Sequence, residues 1–404
     1  MKKSWCRFSL ILSLLLMIAG VGYSQPTWTF EPFGKEKKPE QYEEKLLPSE
    51  KTATKKFTPV RRFIQNNTTH YNFYFNANNR LNAVLERARI ANKDDYNQLL
   101  PFYGYSLDQT AAQRVELDSV IYKSTAAILL HDLRSDWVDN MYLLIGKSYF
   151  LRKQFDSAAM TFQFINYNLF PRKKHEEDNR VVGSNLENTG GAMSIADKEK
   201  RNLVQRILTI PPSRNDALIW LSRTFTETEQ FADAAGMINI LQNDPNLPKR
   251  LKNDLEEITA YWFYKQNMYD SSARHLELAL SNAPEKQDKA RWEYLLGQLF
   301  ELSGQQGKAS YYYSKSAKHT VDPVMDIHAR LNDAKLYKEN GDKKELQNTI
   351  DNLLKMARKD KYEAYQDIIY YAAGDIAIDL PDTAHAVEYL HKSTRHNENN
   401  AEFK

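Results

Sequence analysis

The chain has 404 residues, 42% hydrophobic and 26% charged, which is enough to build two or three domains or one long repeat array and excludes disorder throughout. Its formal charge of +3 comes from Lys2, Lys3 and Arg7 in an acid-free first stretch; the remainder balances 52 basic against 52 acidic residues, so nothing in the charge calls for a nucleic-acid partner. The single cysteine, Cys6, lies in that same stretch, and the rest of the chain therefore excludes disulfides, thiolate metal sites and thiol nucleophiles. Only 14 glycines, about half the usual share, points to helices.

Residues 1–24 have the layout of a secretory signal: a basic end, an apolar stretch from Phe8 to Ile18, and small Gly22 and Ser24 before a cut at Gln25. The apolar stretch is shorter than the roughly 20 residues a spanning helix needs. Ile18-Ala19-Gly20 has the form of the triplet that precedes an acylated cysteine, but Val21 stands at the cysteine position, so acylation by that route is not expected. Residues 25–65, with Pro26, Pro32, Pro39, Pro48 and Pro59, read as a flexible charged linker. Its basic pairs Lys55-Lys56 and Arg61-Arg62 are either solvated or dock on an acidic partner. Residues 66–135 form an N-terminal helical region, with helices expected over Arg80–Ala91 and Val115–Leu130.

From residue 136 to 404 the pattern is that of tetratricopeptide (TPR) repeats, 34-residue helix pairs in which small residues let helices A and B approach and aromatics fill the space between repeats. The small position of helix A falls at residues 146, 222, 260, 297, 334 and 374, and the last four steps are 38, 37, 37 and 40. The best-defined motif residues are Gly146, Tyr149, Ala158 and Phe162 in the first repeat, Gly297, Phe300, Ala309 and Tyr313 in the fourth, and Gly374 in the sixth. The first step, of 76, contains an insertion at 172–200 that is polar and aperiodic, read as a loop. The expected fold is an all-α solenoid of TPR-like hairpins.

No chemistry-bearing constellation emerges. There is no Gly-x-Ser-x-Gly elbow, no His-Glu-x-x-His, no Walker loop and no dinucleotide fingerprint. His175-Glu176-Glu177-Asp178 reads as a solvated loop, and His385, His391 and His396 are spaced so that no pair shares one face of adjacent turns. Asp94-Asp95 reads as a helix start or turn. The expectation is a non-enzymatic chain with no cofactor, no metal and no nucleic-acid partner. Candidate partner contacts are Tyr71, Tyr74, Tyr96, Tyr311, Tyr312 and Tyr371.

The block running from Asn66-Asn67-Thr68-Thr69-His70-Tyr71-Asn72-Phe73-Tyr74-Phe75 through Asp94-Asp95-Tyr96-Asn97-Gln98-Leu99-Leu100-Pro101 is not generic to TPR proteins. It resembles the N-terminal region of the SprE/PorW family, TPR lipoproteins of the type IX secretion and gliding-motility machinery. The similarity covers roughly residues 55–404, although Val21 departs from the family's lipobox and the family usually continues past the equivalent of Lys404. The resemblance implies a periplasmic scaffold at the outer membrane, linking ring or motor components to the translocon, with no catalytic residues. Membrane association would come through partners, because this sequence supports no lipid anchor. The alternative is a periplasmic TPR chaperone or carrier that binds exported polypeptides.

Overall fold

The computed structural model describes residues 49, 51, 55–169, 195–199, 211–340 and 343–396. The signal, most of the linker and most of the 172–200 insertion lie outside the described residues. Among the described residues there are helices and turns and no strand.

The helical body begins at Pro59, inside the stretch that reads as linker. Helix α1 (Pro59–Thr68) starts where Thr58 accepts the Arg61 N–H at 3.3 Å and proline occupies the first turn, a position that needs no amide proton. It runs through a π-helical stretch, Thr69–Tyr74, into α2 (Phe75–Ala91). The short α3 (Leu107–Ala111) opens with a capping box in which Ser106 and Gln109 satisfy each other's backbone N–H. Helix α4 (Arg114–Leu130) packs on α2 and hands over to the repeats.

Among the described residues six hairpins follow: α5 (Val138–Leu151) with α6 (Phe155–Phe164), α7 (Arg214–Glu227) with α8 (Phe231–Gln242), α9 (Lys252–Lys265) with α10 (Tyr269–Ala279), α11 (Lys286–Leu302) with α12 (Gln306–His319), α13 (Pro323–Asn340) with α14 (Lys343–Ala357), and α15 (Gln366–Asp379) with α16 (Thr383–His396). Each packs on its neighbours in series, which makes the chain an all-α solenoid.

The reason for the small residues is visible at three of them. A Cβ on Gly146 would lie 2.5 Å from the Phe162 ring, one on Gly297 2.6 Å from Tyr313, and one on Gly374 2.8 Å from Leu390. In these three hairpins the first helix therefore receives an aromatic or leucine from the second where only hydrogen fits. Ser222, Ala260 and Ala334 fill the same position in the other three hairpins and are fully buried. Tyr149, Ala158, Phe162, Phe300, Ala309 and Tyr313 are buried as well.

Four of the hairpin turns share one geometry. Lys153, Glu229, Asn267 and Gly304 have φ of 62°, 60°, 58° and 75°. The N–H after each reaches back to the carbonyl of Tyr149, Phe225, Phe263 or Phe300 at 2.8–3.0 Å, the Schellman closure of a helix C-terminus. At the end of the 172–200 insertion, the Ile195 and Ala196 N–H groups both donate to Asp244 at 2.7 Å, and Glu199 pairs with Arg250 at 2.8 Å.

Candidate functional site

In a TPR solenoid the first helices of the hairpins line one face, the surface on which such arrays usually receive partners. Here that face is already covered by the chain itself. The irregular segment between α2 and α3, residues 94–105, crosses α13, α11 and α9 and ends at α7. It runs against the chain order of the repeats and joins residues up to 226 positions apart.

The segment is held chiefly by its backbone. Tyr294 Oη donates to the Tyr96 carbonyl at 2.9 Å, and Tyr264 Oη to the Leu100 carbonyl at 2.9 Å. Gln298 does two things at once: its Nε2 donates to the Gln98 carbonyl at 2.6 Å and its Oε1 accepts from the Leu100 N–H at 3.0 Å. Arg291 donates to the carbonyls of Pro101 and Phe102 at 2.7 and 3.2 Å, and Trp292 Nε1 also reaches Phe102 at 3.2 Å. These are the groups an irregular backbone must satisfy when it is buried. Five carbonyls and one N–H are met by side chains of α9 and α11.

The side chains of the segment supply the apolar part. Leu100 and Phe102 are buried among Tyr261, Trp292, Leu295 and Leu299. Phe102 and Tyr261 rings stand 5.1 Å apart, and Tyr96 meets Tyr294 edge-on at 5.3 Å. Burying such aromatics contributes several kcal/mol in total. At one end the Arg291 guanidinium grips the Asp94 carboxylate with two bonds of 2.6 and 2.9 Å, both side chains nearly dry. At the other, Arg223 donates to Tyr105 Oη at 2.7 Å and lies 3.9 Å above the Tyr103 ring. Burial, and then the neighbouring Asp322 carboxylate, push the Tyr96 hydroxyl well above its ordinary range, which keeps it a donor to Asp322 at 2.7 Å. Burial lowers the beside-lying His328 to about 4, with Lys335 adding to the effect, so His328 is neutral near pH 7.

These contacts correct two of the candidate contact residues. Tyr96 is buried as a tie between the segment and the array, and Tyr312 is buried with its hydroxyl donating to Glu277 at 2.6 Å. Tyr74 is half-buried beside Trp137, 4.7 Å between rings, and its hydroxyl is pushed up chiefly by burial. Tyr71, Tyr311 and Tyr371 are exposed. The structure does not bring the six tyrosines together: Tyr71, Tyr74 and Tyr96 lie in the N-terminal block, Tyr311 and Tyr312 are neighbours on α12 with rings 5.0 Å apart, and Tyr371 is on α15. Asp95 makes a turn, accepting from the Asn97 N–H at 3.0 Å, whereas Asp94 is the partner of Arg291. His175-Glu176-Glu177-Asp178 lies outside the described residues. His385 pairs with Asp382 at 2.7 Å, and His396 stacks on Tyr370 at 5.5 Å.

The residues that sequence reasoning misses are the receivers of the segment: Arg291, Trp292, Tyr294 and Gln298, all on α11. They fall on consecutive turns of one helix, and the polar Arg291 and Gln298 on either side of the run Tyr294-Leu295-Leu296 are the available signal.

No family model matches the chain, and no curated protein matches it. Among solved structures it is similar to YrrB, described as a TPR protein with an unusual peptide-binding site, at 16% identity and a TM-score of 0.33 over 46% of this chain and 87% of that one. It is also similar to BtubC (BKLC) from P. vanneervenii, at 17% identity and a TM-score of 0.32 over 46% of this chain and 80% of that one.

Proposed function

We propose that the chain is a non-enzymatic periplasmic scaffold of type IX secretion, of the SprE/PorW kind, connecting ring or motor components to the outer-membrane translocon. The Asn66–Pro101 block carries the resemblance to that family. The reading as a scaffold rests on one observation: the last part of that block, Asp94 to Pro101, together with Phe102, fills the A-helix face of the array. A carrier of unfolded clients needs an open apolar surface on which different segments can settle. A scaffold that holds two assemblies at a fixed spacing needs a stiff body. A segment that stitches α7, α9, α11 and α13 together adds long-range ties to a solenoid whose hairpins pack on their neighbours in series. This favours the scaffold over the carrier.

The periplasmic localisation is part of this proposal and is supported by the signal-like layout of residues 1–24. Deleting the gene in its host should block export of cargo bearing the type IX C-terminal signal, and normal export would contradict the proposal. Affinity purification after crosslinking separates the two readings: a few fixed machine components are expected, whereas a broad set of unfolded polypeptides would favour the carrier.

A further inference from the structure

Helix α1 is amphipathic and sits the wrong way round for a core helix. Its polar side faces the protein. Arg61 pairs with Asp132 at 3.4 Å and Arg62 with Asp136 at 2.7 Å. Gln65 accepts from the Asp132 N–H at 3.2 Å, and Asn66 donates to Asp136 at 2.8 Å while accepting from Ser135 at 2.9 Å. Every one of these partners lies in the turn between α4 and α5, so the helix is clamped in one rotation.

That rotation turns its apolar side outward. Val60, Phe63 and Ile64 are 70%, 70% and 55% exposed, and no residue of α1 is buried. At about 100° per residue the three share one narrow stripe. The exposed Tyr71 and Phe75 continue the apolar surface further along the same helical rod. Leu133, in the clamping turn, is exposed as well. A large apolar surface kept in water by a specific set of ion pairs marks an interaction site.

The charge around it says what the site meets. From Lys51 to Leu85 the chain holds six basic residues, Lys51, Lys55, Lys56, Arg61, Arg62 and Arg80, and no Asp or Glu. Asp132 and Asp136 neutralise Arg61 and Arg62. Lys51, Lys55 and Lys56 remain exposed just ahead of the stripe. An apolar stripe with a cluster of lysines at its end is the pattern of a helix that lies in a membrane interface, apolar residues at the headgroup–acyl boundary and cations on anionic headgroups. No helix among the described residues is long and apolar enough to cross a membrane.

We propose that α1 docks the chain peripherally on an anionic lipid surface through Val60, Phe63 and Ile64, with Lys51, Lys55 and Lys56 on the headgroups. The inference stands on this geometry and does not require the secretion role. The test is co-sedimentation of the full chain with vesicles of phosphatidylcholine alone or mixed with phosphatidylglycerol. Binding to the mixed vesicles is expected, with little to the neutral ones and a decline as salt is raised. The V60S/F63S/I64S variant should bind about tenfold more weakly or worse, K55Q/K56Q should lose part of the binding, and V321S, which changes an exposed valine elsewhere, should leave it unchanged. Because all these positions are exposed, unchanged circular dichroism will show that folding is intact. Absence of binding to the mixed vesicles overturns the proposal. So does binding that survives the triple variant. A dimer seen by ultracentrifugation that the triple variant dissociates, without vesicle binding, overturns it in favour of a second copy of the chain.

Discussion

Replacing Arg291 with methionine keeps the apolar stem of the side chain and removes the charge that holds one end of segment 94–105. The wild-type guanidinium and the Asp94 carboxylate are 7% and 9% exposed, joined by bonds of 2.6 and 2.9 Å. Taking away one partner leaves a dry carboxylate without its cation, a loss of about 3–5 kcal/mol. The Pro101 carbonyl also loses its donor, while Phe102 keeps Trp292. Adding Asp94→Asn removes the stranded charge, so the double variant should lose only about 2 kcal/mol, mostly the unmet carbonyl. Urea denaturation followed by fluorescence reads both values; Trp292 sits at the affected spot, so its signal should move first. A loss below about 1 kcal/mol for the single variant, or a double variant as unstable as the single, would refute a buried, charge-dependent clasp.

Three further predictions concern the repeats and the pH response. Gly297→Ala places a methyl 2.6 Å from the Tyr313 ring and should lower stability by about 1–3 kcal/mol, read by thermal unfolding; an unchanged Tm would show that the hairpin has slack. Glu229 is an exposed non-glycine residue at φ 60°, so Glu229→Gly should raise stability by about 1 kcal/mol, and a drop in Tm would contradict the strain argument. His328 is held near 4 in the fold against 6.5 for the free side chain, so the unfolded chain takes up the proton first as pH falls. Its contribution is full above about pH 6.5 and is lost as pH drops toward 4, at most about 3 kcal/mol. Lys335 opposes protonation while Asp95 and Asp322 favour it. The stability profile of His328→Gln should therefore be flatter between those limits, and identical slopes would refute the assignment.

The array was readable because its rule is local. A small residue must recur where helices A and B cross, and the chain places Gly146, Ser222, Ala260, Gly297, Ala334 and Gly374 there, each buried in the first helix of its hairpin. The start of α1 was also written locally, in Thr58-Pro59, although the proline-rich surroundings hide it. Segment 94–105 is different. Its partners lie up to 226 residues away, on a face created only when several hairpins have stacked, and no period in the sequence links Leu100 to Gln298 or Tyr96 to Asp322. Tyr96 and Tyr312 look like candidate contacts because tyrosine has one polar and one apolar end, and burial with a satisfied hydroxyl uses the same two properties. Arg61 and Arg62 illustrate the converse: a basic pair that could face an acidic partner meets Asp132 and Asp136 of its own chain.

Amide exchange at Leu100 tests most directly whether the chain fills its own A-helix face. Its N–H lies outside any helix and donates to Gln298 Oε1 at 3.0 Å in a buried setting. Protection comparable to that of the α11 amides, lost together with them on unfolding, is the predicted result. Exchange at the rate of an open loop, with α11 still protected, would contradict it.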